Sequence, residues 1–533
     1  MTQEQALAIM KTGANVFLTG EPGSGKTYTV NAFVSWLKRY GIKPAITAST
    51  GIAATHIGGF TIHSWSGIGV RNELTKHDIQ YMLDNKKLKS RVRDAKTLII
   101  DEISMLSAQT LGLVDVACQK LRENPVPFGG LQIILVGDFF QLPPVIAKEE
   151  QKEEETRLIT NNLITNNGIF AFDSSSWITL NPVVCYLDEQ HRQEDPEFLG
   201  LLAAIRNRAV TPEHRKLLGE RFSATPTEVV PKLFSHNANV DRVNAFELEK
   251  LPDEARLFTM EIHGHKNLVE QLKKGCLSPA ELYLKIGAPV MFTKNDYLQH
   301  QYVNGTLGTV IGFSEEDQCP IVETRNGTRV YADRAEWRIE DGERVLARIT
   351  QIPLRLAWAI TIHKSQGMSL DAAHLDLRGA FEHGQGYVAL SRVRTLAGLT
   401  LAGWNERALE VHPDIVTKDI RFRALSRAAE KKLADIPAEE FLRRQEEFIK
   451  VSGGTFQKSE GSEIKLPDFA KKKYSVEDLR TQYPNAYRPW TEDDDAELVK
   501  LFLAGSKTKS MASTFQRKAG AIRSRLRKLG LIE

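Results

Sequence analysis

The sequence has few cysteines, no long apolar run and little excess charge of either sign. Its four cysteines lie far apart without a Cys-x-x-Cys pair, so we expect reduced buried thiols rather than a disulfide framework or a thiolate metal site. No apolar stretch is long enough to cross a bilayer, and the first fifteen residues resemble neither a secretory signal nor a transit peptide. The net charge of +3 over 533 residues does not identify a partner. These absences predict a cytoplasmic protein without a membrane partner, and the length predicts about three or four domains.

A glycine-rich loop follows the first apolar segment of the chain. Residues 20–27 fit the pattern G-x-x-x-x-G-K-[ST], between an expected strand at 16–18 and a segment with helical spacing at 28–40. Backbone amides of such a loop, together with the positive end of the helix dipole, bind phosphate. Lys26 would contact the β- and γ-phosphates of a nucleoside triphosphate, and Thr27 would place a hydroxyl on Mg²⁺. The predicted nucleotide-binding residues are Gly20, Glu21, Pro22, Gly23, Ser24, Gly25, Lys26 and Thr27.

Carboxylate and amide side chains follow two further apolar runs that predict buried parallel strands. Asp101 and Glu102 come directly after residues 97–100, and Gln141 comes five residues after the run 133–136. Asp101 would hold Mg²⁺ together with Thr27, and Glu102 would orient or deprotonate the attacking water. The Gln141 amide would lie near the γ-phosphate and sense its presence. The sequence therefore predicts hydrolysis of the bound triphosphate.

These segments resemble the first core motifs of the Pif-type (petite integration frequency) DNA helicases, in the B branch of superfamily one. Further matches are the Ia region at 49–54 and 59–64, motif IV at 189–193, motif V at 360–367 and motif VI at 387–394, in family order. The resemblance covers roughly residues 2–400. It implies an ATP- and Mg²⁺-dependent helicase that moves 5′-to-3′ on single-stranded DNA, acts at DNA junctions, and serves repair, recombination and telomere maintenance. A cytoplasmic or nucleoid-associated monomer is the corresponding expectation.

The resemblance also implies residue roles. Gln5 would recognise adenine, and Arg192 and Arg392 would offer guanidinium groups to the charge that develops on the transferred phosphoryl group. The residues implied to contact single-stranded DNA are Ser49, Thr50, Gly51, His63, His363, Lys364, Ser365 and Gln366. Aromatic faces at Phe60, Trp65 or Phe139 are candidates for stacking on bases, with core packing as the alternative.

The predicted fold class is α/β, with two RecA-like P-loop lobes, a small inserted β-barrel and a C-terminal helical domain. Short strands with glycine turns indicate the barrel, and the resemblance implies that it is Src-homology-3-like. The predicted domains are a first lobe at 1–180 with a small insertion near 61–95, a second lobe at 181–254 and 351–415, the barrel at 255–350, a helical connector and linker at 416–485, and a three-helix unit at 486–533.

The region beyond residue 410 lies outside the resemblance. Dense alternating charge at 424–448 predicts an exposed helical connector. The last unit resembles a Myb/SANT-like or helix-turn-helix domain, and its third helix would project Arg523, Arg525 and Arg527 toward nucleic acid or a partner protein.

Two other functions stay open at this point. A RecD-type or relaxase-type helicase shares the core motifs, although no metal or tyrosine cluster precedes the phosphate loop. A DNA-tethered ATPase switch would hydrolyse ATP without unwinding.

Overall fold

The computed structural model describes residues 1–144, 168–188, 195–222, 230–234, 240–296, 301–456 and 491–531, apart from positions 58, 70, 72, 316, 326, 342–343, 363–364, 505, 507, 518–521, 523–524, 527–528 and 530. The chain divides into two compact units, Met1–Pro467 and Asp468–Glu533. Within the described ranges, no helix is both long and apolar enough to cross a membrane.

A six-stranded parallel sheet forms the centre of the first lobe. Its strands are β1 (Val16–Gly20), β2 (Pro44–Ala48), β3 (Phe60–Thr61), β4 (Thr97–Asp101), β5 (Gln132–Val136) and β6 (Val183–Leu187). They lie in the order β3-β2-β4-β5-β1-β6, and every pairing is parallel. β1 and β5 are buried along their whole length, because helices cover both faces of the sheet. The strands predicted from apolar runs at 16–18, 97–100 and 133–136 are thereby confirmed.

The helices of the first lobe surround this sheet. They are Gln3–Lys11, Lys26–Arg39, Gly51–His56, Ile62–Ser66, Lys76–Asp84, Lys86–Asp94, Ala108–Arg122 and Ser175–Leu180. The strand β6 lies beyond the predicted domain boundary at residue 180, yet it pairs with β1 along Val16–Gly20. The first sheet therefore extends past that boundary to Leu187, because the edge of β1 offers the hydrogen-bonding partners that β6 requires.

A smaller parallel sheet forms the centre of the second lobe. It contains β7 (Lys232–Phe234), β18 (Ala359–Thr361), β19 (Ala373–Leu377) and β20 (Leu399–Trp404), in the order β18-β7-β19-β20. The chain leaves this sheet after β7 and returns to it at β18. Four helices belong to the same part of the chain: Pro196–Arg206, Pro212–Gly219, Val240–Glu249 and Gln385–Leu390.

The segment between β7 and β18 contains three small antiparallel sheets. Its strands are β8 (Arg256–Thr259), β9 (Glu261–Gly264), β10 (Glu281–Leu284), β11 (Pro289–Phe292), β12 (Leu307–Phe313), β13 (Pro320–Thr324), β14 (Arg329–Tyr331), β15 (Ala335–Asp341), β16 (Arg344–Gln351) and β17 (Leu354–Leu356), with the helix Lys266–Gly275. The sheet orders are β10-β8, β14-β13-β12-β11-β17 and β15-β16-β9. β17 pairs with β11 and so extends this region beyond the predicted boundary at residue 350. The predicted α/β fold class with an inserted β region is confirmed, and the Src-homology-3-like label stays a prediction.

Two long helices after the second lobe pack back on the first lobe. They are Pro413–Ala434 and Ala438–Val451. Phe422 lies 5.0 Å from Phe17 between ring centroids, and Phe448 stacks on Trp36 at 6.3 Å. The predicted helical structure at 424–448 is confirmed, but the predicted exposure is wrong at Ser426, Phe441 and Gln445, which are buried beneath the charges that cover the outer faces.

We expect Phe422→Ala to lower the free energy of unfolding by about 3–5 kcal/mol, since truncation of a buried aromatic side chain leaves a cavity. Phe422 is 5% exposed within a cluster of aromatic rings. Ile420→Ala on the same helix is the matched control, because Ile420 is 67% exposed and its loss should change stability by only about 0.5 kcal/mol. Urea unfolding of the three proteins measures the difference. Equal destabilisation by both substitutions would contradict the packing of this helix.

The C-terminal unit begins with a capped helix. Thr491 Oγ1 accepts the Asp494 backbone N–H at 3.1 Å and so starts the helix Glu492–Leu503, which is followed by the helix Thr508–Thr514. The apolar core of the unit contains Leu498, Met511, Phe515, Ile522 and Leu526. This core agrees with a small helical unit, and the Myb/SANT-like assignment stays a prediction.

Candidate active site

The glycine-rich loop connects β1 to the helix Lys26–Arg39. Gly25 has a left-handed backbone (φ 86°) directly before the first helical residue, and a Cβ on it would collide with Gln3 Nε2. A Cβ on Gly20 would lie 2.7 Å from Ser24 Oγ and 2.8 Å from the Leu187 carbonyl oxygen. The loop therefore requires glycine at both positions, for backbone conformation and for space.

Polar groups of this loop suit an anionic ligand. Lys26 Nζ donates to the carbonyl oxygens of Gly20 at 2.8 Å and Glu21 at 3.0 Å, so the ammonium group lies over the loop. Ser24 Oγ is buried and has no hydrogen-bond partner in the described part of the chain. A buried hydroxyl without a hydrogen bond destabilises the fold, and a phosphate oxygen would supply the missing partner of Ser24 Oγ. The loop therefore fits a triphosphate.

The N-terminal helix contacts the same loop through a residue that sequence reasoning missed. Gln3 Nε2 donates to the Ser24 carbonyl oxygen at 3.1 Å. Gln5, the predicted adenine-binding residue, is buried in a capping box: its Oε1 accepts the Thr2 N–H at 2.9 Å, and its own N–H donates to Thr2 Oγ1 at 3.2 Å. The pattern Thr-x-x-Gln ahead of an apolar helix would have revealed the capping box. Adenine recognition by Gln5 stays a prediction.

The predicted Mg²⁺ ligands lie around one cavity. Thr27, Asp101 and Glu102 line a cavity of about 390 Å³ between the two lobes. Asp101 Oδ1 accepts the Glu102 N–H at 2.8 Å. Burial raises the pKa of Asp101, while this hydrogen bond and the charge of Lys26 oppose the shift. A hydroxyl and a buried carboxylate are the hard oxygen ligands that Mg²⁺ prefers, so the residues fit this metal.

The backbone of Glu102 adopts an uncommon conformation. Its φ of 52° and ψ of 45° are left-handed, which costs a non-glycine residue roughly 1–2 kcal/mol. Its side chain lines a second cavity, of about 610 Å³, together with Lys26, Gln141 and Arg392. Burial and the neighbouring Asp101 raise the pKa of Glu102 to about 7, against the opposing charges of Arg392 and Lys26. Such strain concentrates at functional sites, and here it directs a carboxylate into the cavity.

Arg392 reaches this cavity from the second lobe. It follows the helix Gln385–Leu390 and is 2% exposed. Its Nε donates to the Val388 carbonyl oxygen at 3.0 Å, and its Nη2 donates to Ser391 Oγ at 3.1 Å. Burial lowers the pKa of Arg392, and Glu102 opposes that shift. The structure thus brings Lys26, Glu102 and Gln141 of the first lobe to one cavity with Arg392 of the second.

Other predicted and unpredicted residues belong to this region. Arg192 lies outside the described residues, so its predicted role stays a prediction. Ser369, Arg394 and Thr395 also line the cavity of about 610 Å³ and were not among the predicted site residues. Arg394 lies two positions after Arg392 in the same motif, and this proximity could have identified it from the sequence.

Three predicted DNA-contact residues lie at the start of the helix Gly51–His56. Ser49 Oγ donates to the Glu102 carbonyl oxygen at 2.8 Å, so this side chain supports the backbone at Glu102. Thr50 Oγ1 caps the helix by accepting the Ala53 N–H at 3.2 Å, and the Gly51 carbonyl oxygen accepts Thr55 Oγ1 at 2.8 Å. Their predicted contacts with DNA stay predictions.

The predicted motif V contacts are only partly described. Ser365 is buried, and its Oγ donates to the Ile362 carbonyl oxygen at 2.7 Å. Gln366 Nε2 is buried without a hydrogen-bond partner among the residues that the structure describes. His363 and Lys364 lie outside those residues. His63 is half-buried on the helix Ile62–Ser66, and burial lowers its pKa.

The cavity of about 390 Å³ also contains residues of the inserted β region, which sequence reasoning missed. Lys294, Asn304 and Trp337 line it together with Thr50 and Gln366. Lys294 Nζ lies 5.2 Å from the Trp337 ring centroid, and Asn304 Oδ1 is buried with no partner in the described ranges. Trp337 is itself 4% exposed, so the polar part of this wall is formed by Lys294 and the unsatisfied polar atoms of Asn304 and Gln366.

The aromatic residues proposed for base stacking are part of the core. Phe60, Trp65 and Phe139 are 5%, 2% and 5% exposed. Phe139 lies 5.5 Å from Phe17 and 4.7 Å from Phe172 between ring centroids. The stacking hypothesis is therefore wrong for these three, because their apolar area is already buried against other side chains.

In the C-terminal unit, one predicted nucleic-acid contact is engaged internally. Arg525 Nε donates to Asp495 Oδ1 at 2.6 Å, so this guanidinium is paired with an acid of the first helix. The fork geometry of arginine suits such a bidentate pair. Arg523 and Arg527 lie outside the described residues.

Comparison with known proteins gives matches over most of the chain. The sequence model described as PIF1-like helicase matches residues 3–216, and the one described as DNA helicase Pif1, 2B domain matches residues 267–313. The ATP-dependent DNA helicase Pif1 of Psychrobacter sp. (strain PRwf-1) is 41% identical over 518 residues, which cover 86% of this chain and 76% of that protein.

Two solved structures are similar in both sequence and fold. Bacteroides sp. Pif1 in complex with ADP-AlF4 is 30% identical, with a TM-score of 0.66 and coverage of 80% of this chain and 97% of the other. The Bacteroides Pif1 helicase in complex with ADP-AlF3 and single-stranded DNA is 31% identical, with a TM-score of 0.51 and coverage of 79% and 97%. With a relative of this identity and coverage, and with both sequence models matched in order, the chain belongs to the PIF1-like helicase family.

Proposed function

We propose that this chain is an ATP-dependent DNA helicase that moves 5′-to-3′ along single-stranded DNA and separates duplex or structured DNA. The observation that carries the proposal is the cavity in which Lys26, Glu102 and Gln141 of the first lobe face Arg392 of the second. A triphosphate between the lobes would be contacted from both sides. The names of the relatives, and the complex of one of them with single-stranded DNA, support the same assignment.

The chemistry follows from the placement of these side chains. The loop amides and Lys26 would bind the phosphates, and Thr27 and Asp101 would hold Mg²⁺, which offsets phosphate charge when bound. Glu102 would accept the proton of the attacking water. Arg392 would stabilise the charge that develops on the transferred phosphoryl group, as an arginine finger does.

Coupling to movement follows from the division of these groups between the lobes. A triphosphate that is bound by donors of both lobes draws them together, and loss of the γ-phosphate removes that attraction. Thr27, Asp101 and Glu102 share the cavity of about 390 Å³ with Thr50, Gln366 and the Lys294 side chain. We propose this cavity as part of the path of the single strand, so that closing of the lobes changes the grip on DNA.

The domain limits and the cellular place belong to the same proposal. We assign residues 1–187 to the first lobe, residues 195–254 and 357–412 to the second, and residues 255–356 to the inserted β region. We propose a cytoplasmic or nucleoid-associated location, which the bacterial relatives support. The C-terminal unit would add a further contact with DNA or with a partner protein, and a monomer suffices for the mechanism.

Strand displacement on tailed duplexes tests this proposal. We expect the wild-type protein with ATP and Mg²⁺ to separate a duplex that carries only a 5′ single-stranded tail and to leave a matched 3′-tailed duplex intact. Lys26→Ala is the control, and it should displace neither strand because the phosphates lose their cation. Displacement only from the 3′ tail would overturn the polarity. DNA-stimulated ATP hydrolysis without displacement from either tail would identify an ATPase switch instead.

A further inference from the structure

A fully buried guanidinium contacts both halves of the candidate active site. Arg206, the last residue of the helix Pro196–Arg206, is 2% exposed. Its Nη1 donates to Asp138 Oδ2 and to the Tyr387 hydroxyl, both at 3.0 Å. Its guanidinium carbon lies 3.8 Å from the Phe140 ring centroid. Asp138 and Phe140 belong to the turn that carries Gln141, and Tyr387 belongs to the helix that leads to Arg392.

The second nitrogen of the same guanidinium extends these contacts toward the phosphate loop. Arg206 Nη2 donates to the Tyr186 hydroxyl at 2.7 Å and to Asp419 Oδ1 at 3.4 Å. The Tyr186 hydroxyl also accepts Arg423 Nη2 at 2.7 Å, and that nitrogen lies 3.5 Å from Glu21 Oε1 in the loop. We call these side chains the Arg206 cluster: Asp138, Tyr186, Arg206, Tyr387, Asp419 and Arg423.

On the side of the first lobe, Asp138 holds the turn that presents Gln141. The Asp138 carbonyl oxygen accepts the Gln141 N–H at 3.0 Å, and its Oδ1 accepts the Phe140 N–H at 3.2 Å. The carboxylate that binds Arg206 is therefore the group that closes this turn. Asp138 therefore contacts Arg206 with one carboxylate oxygen and the Gln141 turn with the other and with its carbonyl oxygen, so it links that turn to Arg206.

On the side of the second lobe, Tyr387 lies on the helix Gln385–Leu390, five residues before Arg392. The Tyr387 carbonyl oxygen accepts the Ser391 N–H at 2.9 Å, and the next carbonyl oxygen, of Val388, accepts Arg392 Nε at 3.0 Å. The start of this helix also approaches the first lobe, since a Cβ on Gly384 would lie 2.6 Å from the Phe140 carbonyl oxygen. Tyr387 is therefore joined to Arg392 by one short hydrogen-bonded segment of backbone.

The energetics of a buried arginine indicate a role beyond packing. Burial alone would lower the pKa of Arg206, but Asp138, the two tyrosines and Asp419 raise it well above the ordinary value, so the side chain is charged. A buried charge needs its partners, and a well-packed apolar group in the same space is often equally stable. What the charge adds is a defined geometry among its partners.

We propose that Arg206 is a positioning residue that holds the Gln141 turn and Arg392 in one register, so that both respond to the γ-phosphate together. The proposal deepens the proposed function and rests on it, because it assigns Gln141 and Arg392 to γ-phosphate. Hydrolysis is then fastest when Gln141 of the first lobe and Arg392 of the second lobe both contact the γ-phosphate.

Two tyrosine-to-phenylalanine variants test this role, one at a hydroxyl that accepts a hydrogen bond from Arg206 and one at an exposed tyrosine outside the Arg206 cluster. Tyr387→Phe breaks the link to the Arg392 helix, and we expect kcat for DNA-stimulated ATP hydrolysis to fall about tenfold, with KM for ATP within about twofold of wild type. Tyr331→Phe is the control, because it removes the same hydroxyl from a side chain that is 61% exposed on β14 and lines neither cavity. Its kcat should stay within about twofold of wild type. Thermal unfolding of both variants measures their stability relative to wild type.

A double variant provides a readout that a merely structural role would not change. If Tyr387 acts by keeping Arg392 aligned with Gln141, the alignment no longer matters once Gln141 is removed. Tyr387→Phe should then lower kcat by less than about twofold in a protein that already carries Gln141→Ala. A full tenfold loss in that background overturns the proposal, as do equal losses of kcat in the two tyrosine variants or a change confined to KM. These assays measure ATP hydrolysis and not strand displacement. If the wild-type protein hydrolysed ATP without displacing strands, the helicase proposal would fail, and the same assays would still test the role of Arg206.

Discussion

Glu102→Gln is expected to reduce kcat for DNA-stimulated ATP hydrolysis by about 10³-fold, because glutamine keeps the shape of the side chain but does not accept the proton of the attacking water. The loss should appear in kcat, since the loop at residues 20–27 and Lys26 are unchanged. Affinity for a fluorescent ATP analogue should stay within about threefold of wild type, and strand displacement should be lost together with hydrolysis.

The chain contains a matched control for this substitution. Glu123 has the same left-handed backbone (φ 54°), but its side chain is 62% exposed and pairs with Lys89 and Arg93 at the surface. Glu123→Gln should therefore leave kcat within about twofold of wild type, because exposed ion pairs contribute little. If Glu102→Gln retained more than about a tenth of the wild-type rate, another group would have to be the base, and the assignment of Glu102 would be wrong.

Arg392→Ala is expected to produce the second large loss, about 10³-fold in kcat, because an arginine finger acts on charge that develops in the transition state. ATP affinity should fall only a few fold, since the loop and Lys26 supply the ground-state contacts. Steady-state hydrolysis with separate kcat and KM for ATP, and equilibrium binding of an ATP analogue, measure the two effects.

Two further variants separate the role of Arg392 from fold stability. Arg392→Lys keeps the charge but not both hydrogen bonds, to the Val388 carbonyl oxygen and to Ser391 Oγ, so it should recover only part of the rate. Arg378→Ala removes a 65% exposed arginine that pairs with Asp376 in the same lobe and should leave kcat within about twofold of wild type. Equal rates for Arg392→Ala and wild type would exclude the finger role.

The local features of the site were predictable because they depend on residues close together in the chain. The loop at 20–27 and the strand that ends at Asp101 carry their own backbone requirements, such as the left-handed Gly25. The prediction of an exposed connector at 424–448 failed for the opposite reason. Charge on the outer face of a helix is visible in the sequence, whereas Phe448 meets Trp36 only after some 400 intervening residues have folded.

The sequence by itself determined the nucleotide-binding loop, the carboxylates at the end of β4 and the order of the family motifs, since each is a short segment whose chemistry is local. Only the tertiary structure decided which side chains share a cavity. It placed Arg392 opposite Glu102, Lys294 and Trp337 beside Gln366, and Arg206 between Asp138 and Tyr387. The physical reason is that a buried charge is placed by all of its partners at once, and those partners come from strands and helices far apart in the chain.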